Sequence, residues 1–186
     1  MSSKTALVII NDGVEELEAL TPVDLLRRAG VAVTVASASG SLNVTGRNGI
    51  HLRADARFAA EMELPDLLVI PGGPGHADLA RDEDLLSFLR KQNDAGKLIG
   101  SICAGPVVLK KAGVLAGRRF TSFPATAEEL PERLSNDPVV MDGTLITSMG
   151  AGTAYLFALA LVEELCGPEK RSETAASTCF PDHPAG

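Results

Sequence analysis

Short apolar runs alternate with longer amphipathic segments along this chain, and this alternation constrains the fold more than any other feature. The runs are four to six residues long, rich in Val, Ile, Leu and Ala, and span residues 5–10, 31–36, 67–70 and 97–102. Continuous apolar runs of this length are typical of strands buried on both faces. Strands that alternate with helices form parallel βαβ units. The sequence therefore predicts an α/β fold with a doubly wound, mostly parallel sheet and helices on both faces.

Helices are predicted between and after these strands, at residues 15–28, 83–95, 103–112 and 155–165. In the first helix the leucines supply the predicted apolar face, and Pro22 is predicted to interrupt or kink it. These leucines are Leu17, Leu20, Leu25 and Leu26.

Three segments depart from the βαβ pattern. Residues 37–60 are rich in Gly, Ser and Asn with apolar islands at 42–44 and 50–52, which predicts a small antiparallel excursion. Asp142-Gly143 lies between two short apolar runs and indicates a hairpin. The tail after about residue 173 is polar and is predicted to be partly mobile. No linker or repeat divides the chain, so we expect residues 1–186 to form a single domain.

Composition and charge narrow the classes of function. The net charge is −7 and no cluster of lysine or arginine forms a basic stripe, which disfavours nucleic acid as a partner. No apolar run approaches the ~18 residues of a membrane helix. The three cysteines lack a Cys-x-x-Cys pair, so a disulfide framework or structural zinc is not expected. We expect a soluble, cytoplasmic protein that acts on a small electrophile or another protein.

The candidate functional residues lie in segments that follow predicted strands. These segments are residues 13–18, 71–76 and 103–106. In doubly wound sheets, ligands bind beyond the carboxyl ends of the strands. We therefore expect the three segments to converge on one site.

Cys103 lies where a strand ends and a helix begins, within Ser-Ile-Cys-Ala-Gly-Pro. A nucleophile at such a turn projects from a tight bend, and the helix N-terminus favours thiolate over thiol. On this hexapeptide alone, a buried structural cysteine is an equally good interpretation.

The glycine-rich segment Pro71-Gly72-Gly73-Pro74-Gly75-His76 matches neither a Walker A loop nor a dinucleotide fingerprint. Its backbone N–H groups are candidate donors to an oxyanion, and a simple tight turn is the alternative.

Three carboxylates, Glu15, Glu16 and Glu18, begin the first helix. Acidic side chains are favoured there by the helix dipole, and we expect two of them to be solvated. Glu15 and Glu18 share a face, so one of this pair is a candidate to enter the site, whereas Glu16 is expected to point elsewhere.

The sequence gives little support for a catalytic histidine or for a metal site. His51 is expected to be exposed, His183 lies in the tail, and His76 is a helix-start residue within reach of the site. A Cys-His-Asp triad is therefore not predicted. No His, Cys, Asp or Glu cluster has the spacing of metal ligands.

From residue 6 to about 170, the chain resembles the DJ-1/ThiJ/PfpI superfamily, specifically its small DJ-1-like (YajL-like) branch. The resemblance is carried by ALVII, GVEELEALTPVDLLRRAG, DLLVIPGG, SICAGP and LITSMGAGTAYLFAL. It implies a flavodoxin-like fold (class I glutamine amidotransferase-like), a homodimer and cofactor-free activity.

The resemblance also implies roles for five residues. Cys103 is the nucleophile, and Glu18 is the acid whose proton bonds the sulfur. Gly72 and Gly73 offer backbone N–H groups, and Ala104 follows the nucleophile.

Three departures from the family pattern bear on activity. Phe123 stands where several members carry a histidine, so proton transfer is left to Glu18, with His76 as a further candidate. Met149 replaces an arginine of some relatives, which weakens anion binding from that side. Ala104 replaces the histidine of the peptidase branch, which disfavours proteolysis.

The reported activities of the family imply two main hypotheses. The first is a glyoxalase III or deglycase that acts on methylglyoxal, a 2-oxoaldehyde, or on its glycated adducts through a Cys103 hemithioacetal. The second is a non-enzymatic oxidative-stress sensor or redox chaperone that works through oxidation of a low-pKa Cys103 thiolate. A hydrolase or hydratase that acts on a small molecule is the third.

Overall fold

A seven-stranded sheet forms the centre of the computed structural model, which describes residues 4–134 and 136–181. Its strands lie in the order β5-β2-β1-β6-β7-β9-β8, all parallel except the antiparallel pair β8–β9, and β3 and β4 form a separate antiparallel hairpin. The strands are β1 Thr5–Ile10, β2 Ala32–Ser37, β3 Asn43–Thr45, β4 His51–Arg53, β5 Ala56–Arg57, β6 Leu67–Ile70, β7 Leu98–Ile102, β8 Val139–Asp142 and β9 Leu145–Ser148.

Helices cover both faces of this sheet and confirm the predicted flavodoxin-like α/β fold. Side chains of β1 alternate between two cores, with Val8 and Ile10 on the side of α1 and α5, and Leu7 and Ile9 on the side of α3 and α4. The helices are α1 Glu16–Arg28, α2 His76–Leu79, α3 Glu83–Asp94, α4 Gly105–Ala112, α5 Ala154–Cys166 and α6 Pro168–Ser177. Within the described residues, no helix is long and apolar enough to span a membrane.

The two predicted antiparallel pairs are also present. The β3–β4 hairpin lies within residues 37–60, and β8 and β9 join around Asp142-Gly143. Gly143 adopts a φ of 56°, which is the left-handed conformation that such tight turns require.

The buried face of α1 differs from the prediction. Leu17 and Leu20 are 58% and 43% exposed, whereas Glu16 and Glu18 are buried on the same helix. The hydrophobic pattern placed leucine inward by default, but the first turn of α1 packs over the carboxyl ends of the strands, where acidic groups find partners. The helix runs through Pro22 without a break in its assignment.

The chain end forms a helix that the sequence did not predict. In the tail, α6 packs against α5, Ala175 is fully buried, and Phe180 stacks on Tyr155 with ring centroids 4.3 Å apart. Pro168 occupies the first turn of α6, where proline lacks only an N–H that would be unpaired anyway.

Candidate functional site

The three candidate segments converge as predicted. Strands β1, β6 and β7 are neighbours in the sheet, so the loops that follow them lie side by side at its carboxyl edge. Backbone hydrogen bonds join the loops: Glu15 N–H donates to the Gly72 carbonyl at 3.1 Å, and Gly75 N–H donates to the Gly13 carbonyl at 3.3 Å. This edge of the sheet therefore holds one continuous site.

Cys103 occupies a strained turn between β7 and α4. Its φ is 62°, a left-handed conformation that side chains other than glycine rarely adopt, and its side chain is 6% exposed. Its N–H donates to the Ser148 carbonyl at 3.0 Å, and its carbonyl accepts from Phe123 N–H at 2.9 Å. Two neighbouring segments thus hold the bend that presents the thiol.

Glu18 is the carboxyl group that enters the site. Its side chain is 1% exposed, hydrogen-bonds the Cys103 thiol, and accepts the Gly72 N–H at Oε2 at 2.9 Å. Glu15, the other candidate of the pair, accepts the Glu18 N–H at 2.9 Å and caps α1. Glu15 is also buried, so the expectation that two of the three carboxylates are solvated is wrong. The structure therefore separates two carboxylates that the sequence left equivalent.

Gly72 was predicted to offer its N–H group to an oxyanion, and the structure gives this N–H a different role. Its N–H is committed to Glu18, so it is not free to bind an oxyanion. The backbone N–H groups that point at the Cys103 sulfur belong to Gly73 and Ala104. A methyl group at Gly72 would lie 2.7 Å from both Cys103 Cβ and Glu18 Oε2, so glycine is required here for close approach.

Burial shapes the protonation of the Cys103–Glu18 pair. Burial raises the pKa of Glu18 to about 7, and the Glu15 charge adds to this shift, although hydrogen bonds from Cys103 and Gly72 and the Arg47 charge oppose it. Burial, followed by the charge and hydrogen bond of Glu18, raises the pKa of Cys103 to about 12.

The thiol shift runs opposite to the sequence prediction of a low-pKa thiolate. The amides of Gly73 and Ala104 do lower the pKa of Cys103, but desolvation and a neighbouring carboxylate outweigh them. Burial therefore favours the protonated form of both groups, and the neighbouring Glu18 charge further favours the thiol form of Cys103.

A cavity of about 230 Å³ opens at Cys103. Its lining residues are Arg47, Gly73, Pro74, His76, Cys103, Ala104, Phe123, Ala125, Thr126 and Glu129. His76 Nδ1 donates to the Gly73 carbonyl at 2.9 Å, so one ring nitrogen supports the glycine loop. Phe123 contributes an apolar wall to this cavity, and Met149 is not among its lining residues.

The remaining candidates lie apart from this chemistry. His51 is exposed and its Nδ1 lies 3.3 Å from Thr45 Oγ1, and His183 falls outside the described residues. In the part of the chain that the structure describes, no group of three or more His, Cys, Asp or Glu is arranged to hold a metal ion.

Arg47 and Glu16 are two residues near the site whose positions were not predicted from the sequence. Arg47 lies in the β3–β4 turn and lines the Cys103 cavity. Glu16 was expected to be solvated but is buried against the same turn. No local sequence pattern predicts the location of either side chain, because both locations depend on where the β3–β4 hairpin packs.

Comparisons with known proteins identify the family of this chain. The model of the DJ-1/PfpI family matches residues 4–164. Protein dj-1beta of Drosophila melanogaster is 43% identical over 178 residues, which cover 93% of this chain and 95% of that protein. The glutathione-independent glyoxalase DJR-1.2 of Caenorhabditis elegans is 35% identical over 184 residues, which cover 96% and 98%.

Solved structures give the same assignment. Drosophila melanogaster DJ-1beta superposes with a TM-score of 0.92 at 41% identity and covers 96% of this chain and 98% of its own. Oxidized DJ-1 of Toxoplasma gondii superposes with a TM-score of 0.91 at 32% identity, with 96% and 100% covered. With its strained cysteine paired to a buried glutamic acid on this fold, the chain belongs to the DJ-1/PfpI family.

Proposed function

We propose that this protein is a cofactor-free glyoxalase that converts 2-oxoaldehydes such as methylglyoxal to 2-hydroxy acids through Cys103. The observation that carries the proposal is the buried Cys103–Glu18 pair with two amides directed at the sulfur. The similarity to a glutathione-independent glyoxalase supports it. The same chemistry applies to methylglyoxal carried as a reversible glycation adduct, which is the deglycase form of the proposal.

In the first step, Cys103 Sγ adds to the aldehyde carbon C1 while the Glu18 carboxylate takes the thiol proton. A group with a pKa of about 7 is suited to this task at neutral pH, because it is both substantially ionised and a usable base. The N–H groups of Gly73 and Ala104 hold the aldehyde oxygen as its negative charge develops. Glu18 returns the proton to this oxygen, which gives a hemithioacetal.

In the second step, Glu18 removes the C1 hydrogen as a proton and delivers it to C2, while the hydroxyl proton at C1 is lost and the C2 oxygen gains one. The product is a lactoyl thioester on Cys103. Water then adds to the thioester carbonyl, the carbon–sulfur bond breaks, lactate leaves and the thiol is restored. The sum is methylglyoxal plus water to lactic acid, with no external oxidant or reductant.

The pH dependence of the reaction tests the roles of Cys103 as nucleophile and Glu18 as general base. Glu18 must be ionised to accept the thiol proton, so kcat/KM for lactate formation should rise about tenfold per pH unit below pH 7 and level off above it. The measurement is lactate from methylglyoxal between pH 5 and 9 without glutathione, with the uncatalysed rate subtracted. A rate that keeps rising through pH 9 would instead identify free thiolate formation as the limiting event.

The sensor hypothesis requires Cys103 to be present as a thiolate at neutral pH. Oxidation proceeds through the thiolate, and the raised pKa of Cys103 keeps this species scarce at neutral pH. The similarity to a structure of oxidized DJ-1 from Toxoplasma gondii supports oxidation as the alternative. The enzyme proposal is therefore favoured, and the two are separated by the Cys103 experiment below.

We further propose that the protein is a homodimer through the exposed leucines of α1. Leu17 and Leu20 are one turn apart, and a second copy would remove both from water. Sedimentation velocity should give twice the chain mass for the parent and the single-chain mass for Leu17→Glu. Met141→Glu, on the edge strand β8 and 45% exposed, is the matched control and should stay dimeric. A monomeric parent would refute the proposal.

A further inference from the structure

Phe123 exposes an aromatic side chain at the cavity that opens at Cys103. The residue is 44% exposed, although the preceding Ser122 is fully buried. A single exposed apolar side chain is ordinary on a protein surface. This one lines a cavity that ends at the nucleophile, so a ligand bound there would remove the ring from water and gain free energy from its burial.

The ring lies close to the reacting groups. A methyl group at Gly150 would lie 3.3 Å from Phe123 Cδ2 and 4.0 Å from Glu18 Oε1, so the ring and the carboxyl group both border this glycine. The Phe123 N–H donates to the Cys103 carbonyl at 2.9 Å. When Cys103 Sγ attacks the C1 aldehyde of a substrate, the group on the neighbouring C2 carbon is therefore within reach of the ring.

A network of hydrogen bonds fixes the backbone that carries this ring. Arg133 Nε and Nη2 donate to the Ser122 carbonyl at 3.1 and 2.7 Å, and Nε also donates to Ser122 Oγ at 3.2 Å. Ser122 Oγ lies 2.8 Å from Thr126 Oγ1, which donates to the Phe123 carbonyl at 2.8 Å. The ring is thus held in place before a ligand arrives, which lowers the entropic cost of binding.

The rest of the cavity favours an apolar group larger than methyl. Its charged lining residues, Arg47 and Glu129, have opposite signs, and the Thr126 hydroxyl is committed to Phe123. The volume of about 230 Å³ holds several water molecules at roughly 30 Å³ each, so methylglyoxal would fill only part of it. The apolar lining residues are Pro74, Ala104, Phe123 and Ala125.

We infer that Phe123, held in place by Arg133, binds an apolar group on C2 of the substrate, so that the preferred 2-oxoaldehydes carry a longer alkyl or an aryl group where methylglyoxal has a methyl. Phe123 acts as a specificity residue and Arg133 as its positioning residue. An added methylene in an apolar pocket is worth about tenfold or more in kcat/KM. The aldehyde part of this inference rests on the proposed function, whereas the apolar subsite does not.

Alkylation of Cys103 tests the apolar subsite without any turnover. Iodoacetamide and N-butyliodoacetamide both form an Sγ–carbon bond and release iodide, and neither carries a charge. The ratio of the N-butyliodoacetamide rate to the iodoacetamide rate, measured at pH 8 by peptide mass, cancels changes in the thiol itself. We expect this ratio at Cys103 to exceed the ratio at the exposed Cys179 about tenfold. It should not fall in 1 M NaCl, because no charge is screened.

Variants assign the effect to residues. Phe123→Ala should lower the Cys103 ratio about tenfold, and Phe123→Leu, which keeps an apolar side chain, should retain part of it. Arg133→Gln should lower the ratio about threefold, and Arg133→Lys, which keeps a charged donor, should lie closer to the parent. The double variant of Phe123→Ala and Arg133→Gln should match Phe123→Ala alone, because Arg133 acts only through Phe123.

A matched control removes an apolar side chain elsewhere. Met141 is 45% exposed on the edge strand β8, so Met141→Ala should keep the parent ratio at Cys103. The ratio at Cys179 is the internal control and should not change in any variant.

Each other outcome removes a part of the inference. A parent ratio at Cys103 no higher than at Cys179, or an unchanged Cys103 ratio in Phe123→Ala, overturns the apolar subsite. An unchanged ratio in Arg133→Gln, or a double variant lower than Phe123→Ala, overturns the positioning role of Arg133.

Turnover distinguishes this inference from the proposed function. The parent should show a higher kcat/KM for 2-oxohexanal, which carries a butyl group, than for methylglyoxal, and Phe123→Ala should lower this preference about tenfold, mainly by raising KM for 2-oxohexanal. No preference in the parent overturns the substrate class. If neither aldehyde is converted while the alkylation ratio behaves as expected, the proposed function fails and the apolar subsite stands.

Discussion

Replacing Cys103 with serine should lower lactate formation from methylglyoxal by about 10³-fold or more, the scale at which loss of a catalytic nucleophile is felt. Serine keeps the size and burial of the side chain, so the strained turn between β7 and α4 is preserved. Its hydroxyl is far less acidic and less nucleophilic than a thiol, so proton transfer to Glu18 and attack on the aldehyde are both much less favourable. The measurement is the initial rate of lactate formation at pH 8 for the parent and for Cys103→Ser.

The other two cysteines provide matched controls for this experiment. Cys166 ends α5 and Cys179 follows α6, both away from the cavity that opens at Cys103. Cys166→Ser and Cys179→Ser should therefore keep the parent rate. Equal lactate formation in the parent and in Cys103→Ser would eliminate covalent catalysis.

The same variants separate the sensor hypothesis. A tuned redox sensor predicts that mild peroxide adds two oxygens to Cys103 alone, as read by peptide mass, with no lactate formed by the parent. The buried thiol predicts slow oxidation instead, because the reactive thiolate is scarce. If peroxide oxidised Cys166 and Cys179 as much as Cys103, Cys103 would not be a specific redox site.

Replacing Glu18 with glutamine should abolish most activity and yet stabilise the fold above pH 7. Burial raises the pKa of Glu18 from 4.5 to about 7, so the folded state binds more protons than the unfolded state between these values. The parent therefore loses stability as pH rises from about 4.5 to about 7, by roughly 3 kcal/mol, and stays at the lower level above pH 7. A neutral glutamine avoids this loss, and its amide oxygen can still accept the Gly72 N–H.

Urea unfolding at pH 4.5 and pH 8 measures the effect. The unfolding free energy of Glu18→Gln should match that of the parent at pH 4.5 and exceed it by up to about 3 kcal/mol at pH 8. Lactate formation by this variant should fall about 10²- to 10⁴-fold, since the general base is gone.

Glu16→Gln is the matched control, with the opposite sign. Hydrogen bonds hold the pKa of Glu16 below 4.5 despite burial, so its charge stabilises the fold above that pH. This variant should be less stable than the parent at pH 8. A Glu18→Gln protein that is also less stable at pH 8 would show that the site favours the Glu18 charge, and would remove the basis for a carboxyl group that titrates near neutrality.

Much of the architecture could be predicted from the sequence because burial of a parallel sheet requires continuous apolar strands. Residues 5–10 and 67–70 are strands as predicted, and the antiparallel excursion and the hairpin at Asp142-Gly143 are confirmed. The helix at Pro168 was missed because proline is compatible with both a helix stop and a first helical turn.

The sequence by itself determined the sheet, the convergence of three loops at its carboxyl edge, and the placement of Cys103 at a strand-to-helix turn, since these follow from local patterns and strand direction. Only the tertiary structure decided that Glu18 enters the site and that the Gly72 N–H binds Glu18. It also decided that Arg47 lines the cavity, that Glu16 is buried against the same turn, and that the pKa of the Cys103 thiol is raised. The physical reason is that desolvation and hydrogen bonding depend on which distant segments pack together, and a spacing along the chain does not record that packing.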